Sequence, residues 1–378
     1  MVPRAAWAQD KVVKIGQLGV MSGANAAWGL TSRFSALAIA ELYNEKGGVE
    51  IGGEMYRVEV VSIDDRDDPK LTVSGFERLA SEGVRYVIGP NTDATASSAR
   101  PVAEKNGMMY FPYSYIEELY RAPSENVVLA NFNNSQVTPV TYGFARDKRN
   151  VKTVSFLSRN TSEDLAQRDV GIKTAKDLGL EVISDGDTYE AGTTEFFPVM
   201  TNIVRRSPDM ISVGVVAPGT LPLIIRAARE LGYTGAFVAD TAQDIKILTE
   251  GAGEYANGLI SVGGAAVPEL RNDYMQQFID TYTQMAGEWN EEAGTKAYAL
   301  EIILATLSQA GPEAIDDVQV FKDSMPGFSV RNPFMKDETA LTYVGEAFFG
   351  QKRQIGVPLV ITEVQDGAFA TVSIGTVG

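Results

Sequence analysis

The chain has 378 residues, enough for two ordinary domains, and its 44% hydrophobic and 22% charged residues are those of a globular protein. Lys+Arg 33 against Asp+Glu 49 gives a formal net charge of -16, which argues against nucleic acid and anionic membrane surfaces as partners. Cys and His are both absent, which excludes disulfides, thiolate zinc sites, Ser-His-Asp triads and most transition-metal chemistry.

The N-terminus, residues 1–10, is predicted to be a leader remnant: Ala6-Trp7-Ala8 fits a small-x-small cleavage pattern before Gln9. No later stretch has the ~20 apolar residues of a membrane-spanning helix, so a mature, exported protein is expected. From there, strand-like and helix-like patterns alternate. Residues 12–18 form an apolar strand closed by Gly19, and Phe34, Leu37, Ala38, Leu42 and Tyr43 recur at helical spacing before Lys46-Gly47-Gly48. Residues 56–63 alternate as a strand, and Asp68-Pro69 opens a helix carrying Phe76 and Leu79. Tyr86-Val87-Ile88 predicts a buried strand, 93–105 a helix and 108–111 a strand.

The rhythm restarts after Phe132. Strands are predicted at 153–157, 181–187, 210–216 and 236–239, and helices at 162–177, 194–207 and 222–231. The last third is less regular, with strands at 258–263 and 359–363 and helices at 272–286 and 296–309. Repeated β-α-β units imply an α/β fold of two doubly wound parallel-sheet lobes. The expected division is 11–131 plus 258–342 for lobe 1 and 132–257 plus 343–378 for lobe 2.

In such sheets ligands bind beyond the carboxyl ends of the strands. Trp28, after the small-residue loop Ala24-Asn25-Ala26-Ala27, can roof a pocket or plug its own lobe. Gly89-Pro90-Asn91-Thr92-Asp93 leads into a helix, with Asn91 and Asp93 as candidates; Asp93 can instead be the helix N-cap. Facing the cleft, Asp93 would disfavour an anion and favour an amine, amide or hydroxyl donor. Pro112-Tyr113-Ser114-Tyr115 sets two rings and a hydroxyl at a strand end, for a ligand or for packing on the inter-lobe connection. The acidic run Asp64-Asp65-Arg66-Asp67-Asp68 lacks the spacing and closing Glu of a calcium loop and is expected to cap and turn. No GxGxxG or GxxxxGK[ST] occurs, so no cofactor is expected.

The opening Lys14-Ile15-Gly16-Gln17-Leu18-Gly19 through Trp28-Gly29 resembles type I periplasmic binding proteins of the branched-chain amino acid transport family. So do Asn44-Glu45-Lys46-Gly47-Gly48-Val49, Val87-Ile88-Gly89-Pro90, Gly192-Thr193-Thr194-Glu195-Phe196 and Tyr343-Val344-Gly345. The resemblance implies a Venus-flytrap of two lobes joined by three crossovers, a periplasmic monomer that hands a small molecule to an ABC permease. It carries Trp28 to a ring over the ligand and Asp93, Tyr113, Ser114 and Tyr115 to the carboxylate-binding segment. Thr161, Ala217, Asp240 and Thr241 match second-lobe contacts. Asp93 stands where amino-acid binders usually have Ser, and 110–115 resembles the amide- and urea-binding branch, so the expected ligand is an amino acid, an amide or an aromatic compound. The alternatives are a sensory domain of the same fold that regulates a partner and, requiring a nucleophile or acid-base pair not found, an enzyme.

Overall fold

The computed structural model describes residues 11–23, 25–336 and 339–377; the leader-like segment 1–10 lies outside them. Strand β1 (Val12–Gly19) is followed by α1 (Ala26–Glu45), β2 (Val49–Ile51), β3 (Glu54–Asp64), α2 (Pro69–Ser81), β4 (Tyr86–Ile88), α3 (Asp93–Lys105) and β5 (Met109–Phe111). The expected start of α2 is formed as its chemistry dictates: the Asp68 carboxylate accepts from Lys70 N at 2.7 Å, with Pro69 at the first helical position. These strands make one sheet in the order β2-β3-β1-β4-β5, with β1 parallel to both β3 and β4. The connections leaving β1 (toward β3) and β4 (toward β5) therefore diverge, and a crevice opens between the ends of these two strands.

The second lobe continues with α4 (Asn134–Arg149), β6 (Thr153–Arg159), α5 (Ser162–Asp177), β7 (Glu181–Tyr189), α6 (Phe197–Val204), β8 (Met210–Gly214), α7 (Leu221–Glu230), β9 (Ala236–Ala242), α8 (Ile245–Ala252) and β10 (Leu259–Gly263). The chain then returns with α9 (Asp273–Ala286), α10 (Ala293–Ala310), α11 (Val318–Ser324), β11 (Ser329–Arg331), β12 (Ala340–Val344), α12 (Glu346–Phe349) and β13 (Gln354–Ile355). It ends with β14 (Pro358–Gln365) and β15 (Ala368–Thr376). The second sheet has the order β15-β14-β10-β9-β8-β6-β7, parallel from β10 to β7, with β14 antiparallel to both of its neighbours. A small sheet β11-β12-β13 lies against α10.

The expected lobe division changes at two places: residues 343–356, expected in lobe 2, include β13, which pairs with β12 in the small sheet against α10 of lobe 1. Residues 258–263 were assigned to lobe 1, but β10 pairs parallel with β9 and antiparallel with β14 in the second sheet. The chain thus re-enters lobe 1 after Gly263, where α9 and α10 pack on α1. Helices cover both faces of each sheet: α1, α9 and α10 against α2 and α3 in lobe 1, and α4 and α5 against α6, α7 and α8 in lobe 2. The chain crosses between lobes near residues 132, 264 and 356. Gln354 binds the first crossing to the third, its Nε2 donating to Asn131 O at 2.8 Å and to Gln136 Oε1 at 2.7 Å.

The acidic turn works as scaffolding. Asp64 accepts from Met21 N at 2.9 Å, Asp65 from Thr72 Oγ1 at 3.0 Å, and Asp67 from Thr92 Oγ1 at 2.7 Å and Asn25 Nδ2 at 2.9 Å. Asp67 thereby fastens the loop after β1 to the loop after β4. Gly89 sits in that second loop with φ +93, and a Cβ there would be driven into the Leu18 carbonyl oxygen. We expect Gly89→Ala to destabilise the protein by about 3 kcal/mol, combining backbone strain with a clash against rigid backbone. Chemical denaturation would measure it, and a loss below ~1 kcal/mol would show that the loop relaxes freely.

Candidate functional site

The carboxyl ends of the two sheets face each other, and their loops enclose a narrow cavity of about 40 Å³. Lobe 1 contributes Trp28, Asn91, Tyr113 and Tyr115, and the first crossing contributes Asn131 and Phe132. Lobe 2 supplies Glu163, Val215, Thr241 and Ala242, and the start of α10 supplies Glu292, Thr295 and Lys296. A space of this size holds a few waters or the polar head of a small molecule.

The backbone explains why these side chains meet. Gly19 ends β1 without a Cβ, and the Asn91 amide fills the place a side chain would take. Asn91 Nδ2 lies 3.5 Å from Trp28 O, while its Oδ1 has no hydrogen-bond partner. Asn131 Oδ1 and Tyr113 Oη are likewise buried without partners. Three cavity-lining residues thus each bury a polar atom without a partner, and such groups cost about 1–3 kcal/mol apiece when left unpaired. Beside them stands Lys296, 5% exposed, with Nζ 3.0 Å from Glu292 Oε1 and 3.4 Å from the Tyr113 ring centroid. Burial pushes the Lys296 ammonium below its ordinary pKa, against the charge of Glu292 that raises it. Acceptors on Asn91 and Asn131 and donors on Lys296 and Tyr113 surround the cavity, a set complementary to a primary amide head.

A wider groove of about 670 Å³ adjoins the cavity at the mouth of the cleft, and Tyr115 and Glu163 line both. Asp93 lies here and not in the inner cavity. It is the first residue of α3, with Thr92 at the N-cap position, so the expected capping role is not its own. Its Oδ1 accepts from Ser114 Oγ at 2.6 Å and from Tyr115 N at 2.8 Å, holding the loop after β5 to α3. Burial raises the Asp93 pKa. Burial, then the nearby Asp93 charge, pushes Glu163 up to about 8.

Of the residues singled out in the sequence, Trp28, Asn91, Tyr113, Tyr115 and Thr241 line the inner cavity, and Asp93 and Thr161 line the groove. Ser114 is fully buried behind them as the donor to Asp93. Ala217 and Asp240 reach neither space. The Ala217 carbonyl turns the chain into α7 by accepting from Thr220 N at 2.9 Å. Asp240 points into lobe 2, where Thr141 Oγ1 donates to it at 3.1 Å and Tyr142 Oη lies 3.5 Å away. Cavity residues not anticipated from the sequence are Asn131 and Phe132 on the first crossing, Glu163 on α5, Val215 and Ala242 in lobe 2, and Glu292, Thr295 and Lys296 at the start of α10. Among the described residues no cluster of three or more acidic side chains is placed to hold a metal ion. None of their helices is long and apolar enough to cross a membrane.

Comparison with known proteins settles what family carries this cleft. A family model described as periplasmic binding protein matches residues 12–368. The chain belongs to that family. Among its relatives, a leucine-, isoleucine-, valine-, threonine- and alanine-binding protein from Pseudomonas aeruginosa is 25% identical over 260 residues, 66% of this chain and 65% of that protein. A Leu/Ile/Val-binding protein from Citrobacter freundii is 29% identical over 261 residues, 68% of each chain. The match thus spans just under two thirds of the Pseudomonas protein's length. The branched-chain amino acid transporter substrate binding protein from Streptococcus pneumoniae, solved in complex with isoleucine, superposes with TM-score 0.79 at 19% identity, over 97% of this chain and 99% of that one. An ABC transporter solute binding protein from Rhodopseudomonas palustris, solved with benzoate, gives 0.75 at 18% identity, over 96% of both chains. The two-lobed periplasmic-binding-protein fold is thereby established for this chain.

Proposed function

We propose that the protein is an extracytoplasmic, periplasmic solute-binding protein of an ABC importer. It binds one small polar or amphiphilic organic molecule between its lobes as a monomer and hands it to a permease. Its lobes comprise residues 11–131 with 264–356, and 132–263 with 357–377. The observation that carries this reading is the inter-lobe cavity with unpartnered Asn91 Oδ1, Asn131 Oδ1 and Tyr113 Oη around Lys296. Such a set is costly in an empty protein and productive when a guest completes it. The relatives' branched-chain amino acids and the benzoate of the Rhodopseudomonas protein set the size of guest to expect. The acceptors and donors around the cavity favour a head group that both accepts and donates, as a primary amide does.

Binding to the folded state alone raises apparent stability, by about 2.7 kcal/mol when ligand reaches 100 times Kd. A thermal-shift screen over amino acids, amides, ureas and aromatic acids is expected to give at least one compound that raises Tm. That rise should shrink in Trp28→Ala and Tyr113→Phe. A flat response from every class at millimolar concentration would refute the proposal.

A further inference from the structure

The groove at the cleft mouth has a chemistry that the inner cavity does not explain. Its charged lining residues are Asp93, Glu117, Glu118 and Glu163, with no Lys or Arg among them. Glu117 is already engaged, accepting from Arg121 Nη2 at 2.6 Å and Ser135 Oγ at 2.7 Å. Asp93 from lobe 1 and Glu163 from lobe 2 have no such cation. Arg159, beside them, is held by Asp164 at 2.6 Å through Nε and 3.3 Å through Nη2. Glu163 stands in the first turn of α5 and lines the groove together with Asp93, the two charges near enough to repel. Ser114 Oγ and Tyr115 N both donate to Asp93 Oδ1, and the Ile116 N–H also lies near this carboxylate, while no cation is paired with it.

A second observation points to a guest in the same groove. Asn133 and Asn134 line it, are 2% and 1% exposed, and leave Asn133 Nδ2 and both polar atoms of the Asn134 amide without partners. Ala94, Ile116, Ala166 and Val170 supply apolar wall between the two polar ends. The groove meets the inner cavity at Tyr115 and Glu163, so one molecule can extend from one space to the other.

We propose that the ligand is an amphipathic amine: its cationic nitrogen is clamped between Asp93 and Glu163 from opposite lobes, and its alkyl body runs inward along the groove wall. This rests on the solute-binding reading and narrows its ligand class. The amine supplies the counter-charge that two adjoining, partly desolvated carboxylates lack, and it makes lobe closure depend on the guest. The groups facing Glu163 are Asp93 on α3, Asp164 and Arg159 on its own lobe, and Tyr115 on the loop after β5. Burial raises both carboxyls, Glu163 up to about 8, so amine binding favours ionised Glu163 and releases its proton. Amine affinity therefore rises as pH increases toward 8, where the amine itself stays charged.

Calorimetric titration of the full chain with 5-aminopentanamide and with pentanamide tests this directly, since the pair differs only in the amine. We expect the amine to bind at least about tenfold tighter at pH 8, a gap that narrows at pH 6 and in high salt. In Glu163→Gln the ratio of the two affinities should fall to within about twofold, whatever happens to each alone; Asp93→Asn is the second variant, on the opposite lobe. Pentanamide, leucine or benzoate binding while 5-aminopentanamide binds no tighter than pentanamide would overturn the inference and leave the solute-binding reading standing. A gap that survives in both variants also overturns it. If no compound of any class binds, the solute-binding reading falls and this inference falls with it.

Discussion

Lys296→Met is expected to weaken binding of any ligand with a carbonyl head by about 100-fold, close to 2.7 kcal/mol. The side chain is almost wholly buried at the first turn of α10, with one N–H direction taken by Glu292 at 3.0 Å and another by the Tyr113 ring. A third remains for a guest, and charged hydrogen bonds of this kind contribute about 1.5–3 kcal/mol each. Methionine keeps the volume and the contact with the ring while removing the charge, so a lost affinity reports the ammonium and not a cavity. The same change leaves Glu292 without its partner beside the cavity, and stability should drop by about 1–3 kcal/mol. Titration calorimetry together with urea unfolding separates the two effects. Affinity within threefold of the parent would remove Lys296 from the binding assignment.

The α10 contribution shows where sequence reading reached its limit. Residues 293–310 look like a buried core helix, apolar all round, and most of it is one. Lys296 and Glu301 are its only charges, and that sparse pair was the available signal. Glu301 is held in lobe 1 by Tyr43 Oη at 2.7 Å and Tyr274 Oη at 3.2 Å, so only tertiary contacts tell the structural charge from the one facing the cleft. Trp28, Asn91, Tyr113 and Tyr115 were legible because strand-end loops in doubly wound sheets converge regardless of detail. Glu163 was not, since an acid in the first turn of a helix ordinarily complements the helix dipole. The misplaced β10 has a similar cause. A five-residue apolar run, Leu259–Gly263, specifies a strand, whereas its sheet is chosen by pairing with Val238 and Glu363, far away in the chain. Asp240 and Thr241 are neighbours in β9, and side chains alternate along a strand, so only one of the pair can face the cleft. Thr241 does.

That alternation makes Asp240 the source of the second large effect, one of stability and not of binding. It is 1% exposed, and burial pushes its pKa up to about 7 against the opposing hydrogen bonds from Thr141 and Tyr142. An acid with a raised folded-state pKa binds more protons in the native state than in the unfolded one, so its contribution to stability is complete below about pH 4. It is then lost as pH rises to about 7, and the loss is of order 4 kcal/mol. Asp240→Asn keeps an acceptor for Thr141 and places a donor toward Tyr142, without a charge to desolvate. The variant should therefore melt several degrees above the parent at pH 8.5, with the difference shrinking steadily toward pH 5. Glu163 titrates in the same direction in both proteins, so the difference between their pH profiles isolates Asp240. Ligand affinity should stay within twofold of the parent, as befits a side chain turned toward α4. Parallel melting profiles from pH 5 to 8.5 would mean that Asp240 meets solvent; a large loss of affinity would return it to the cleft.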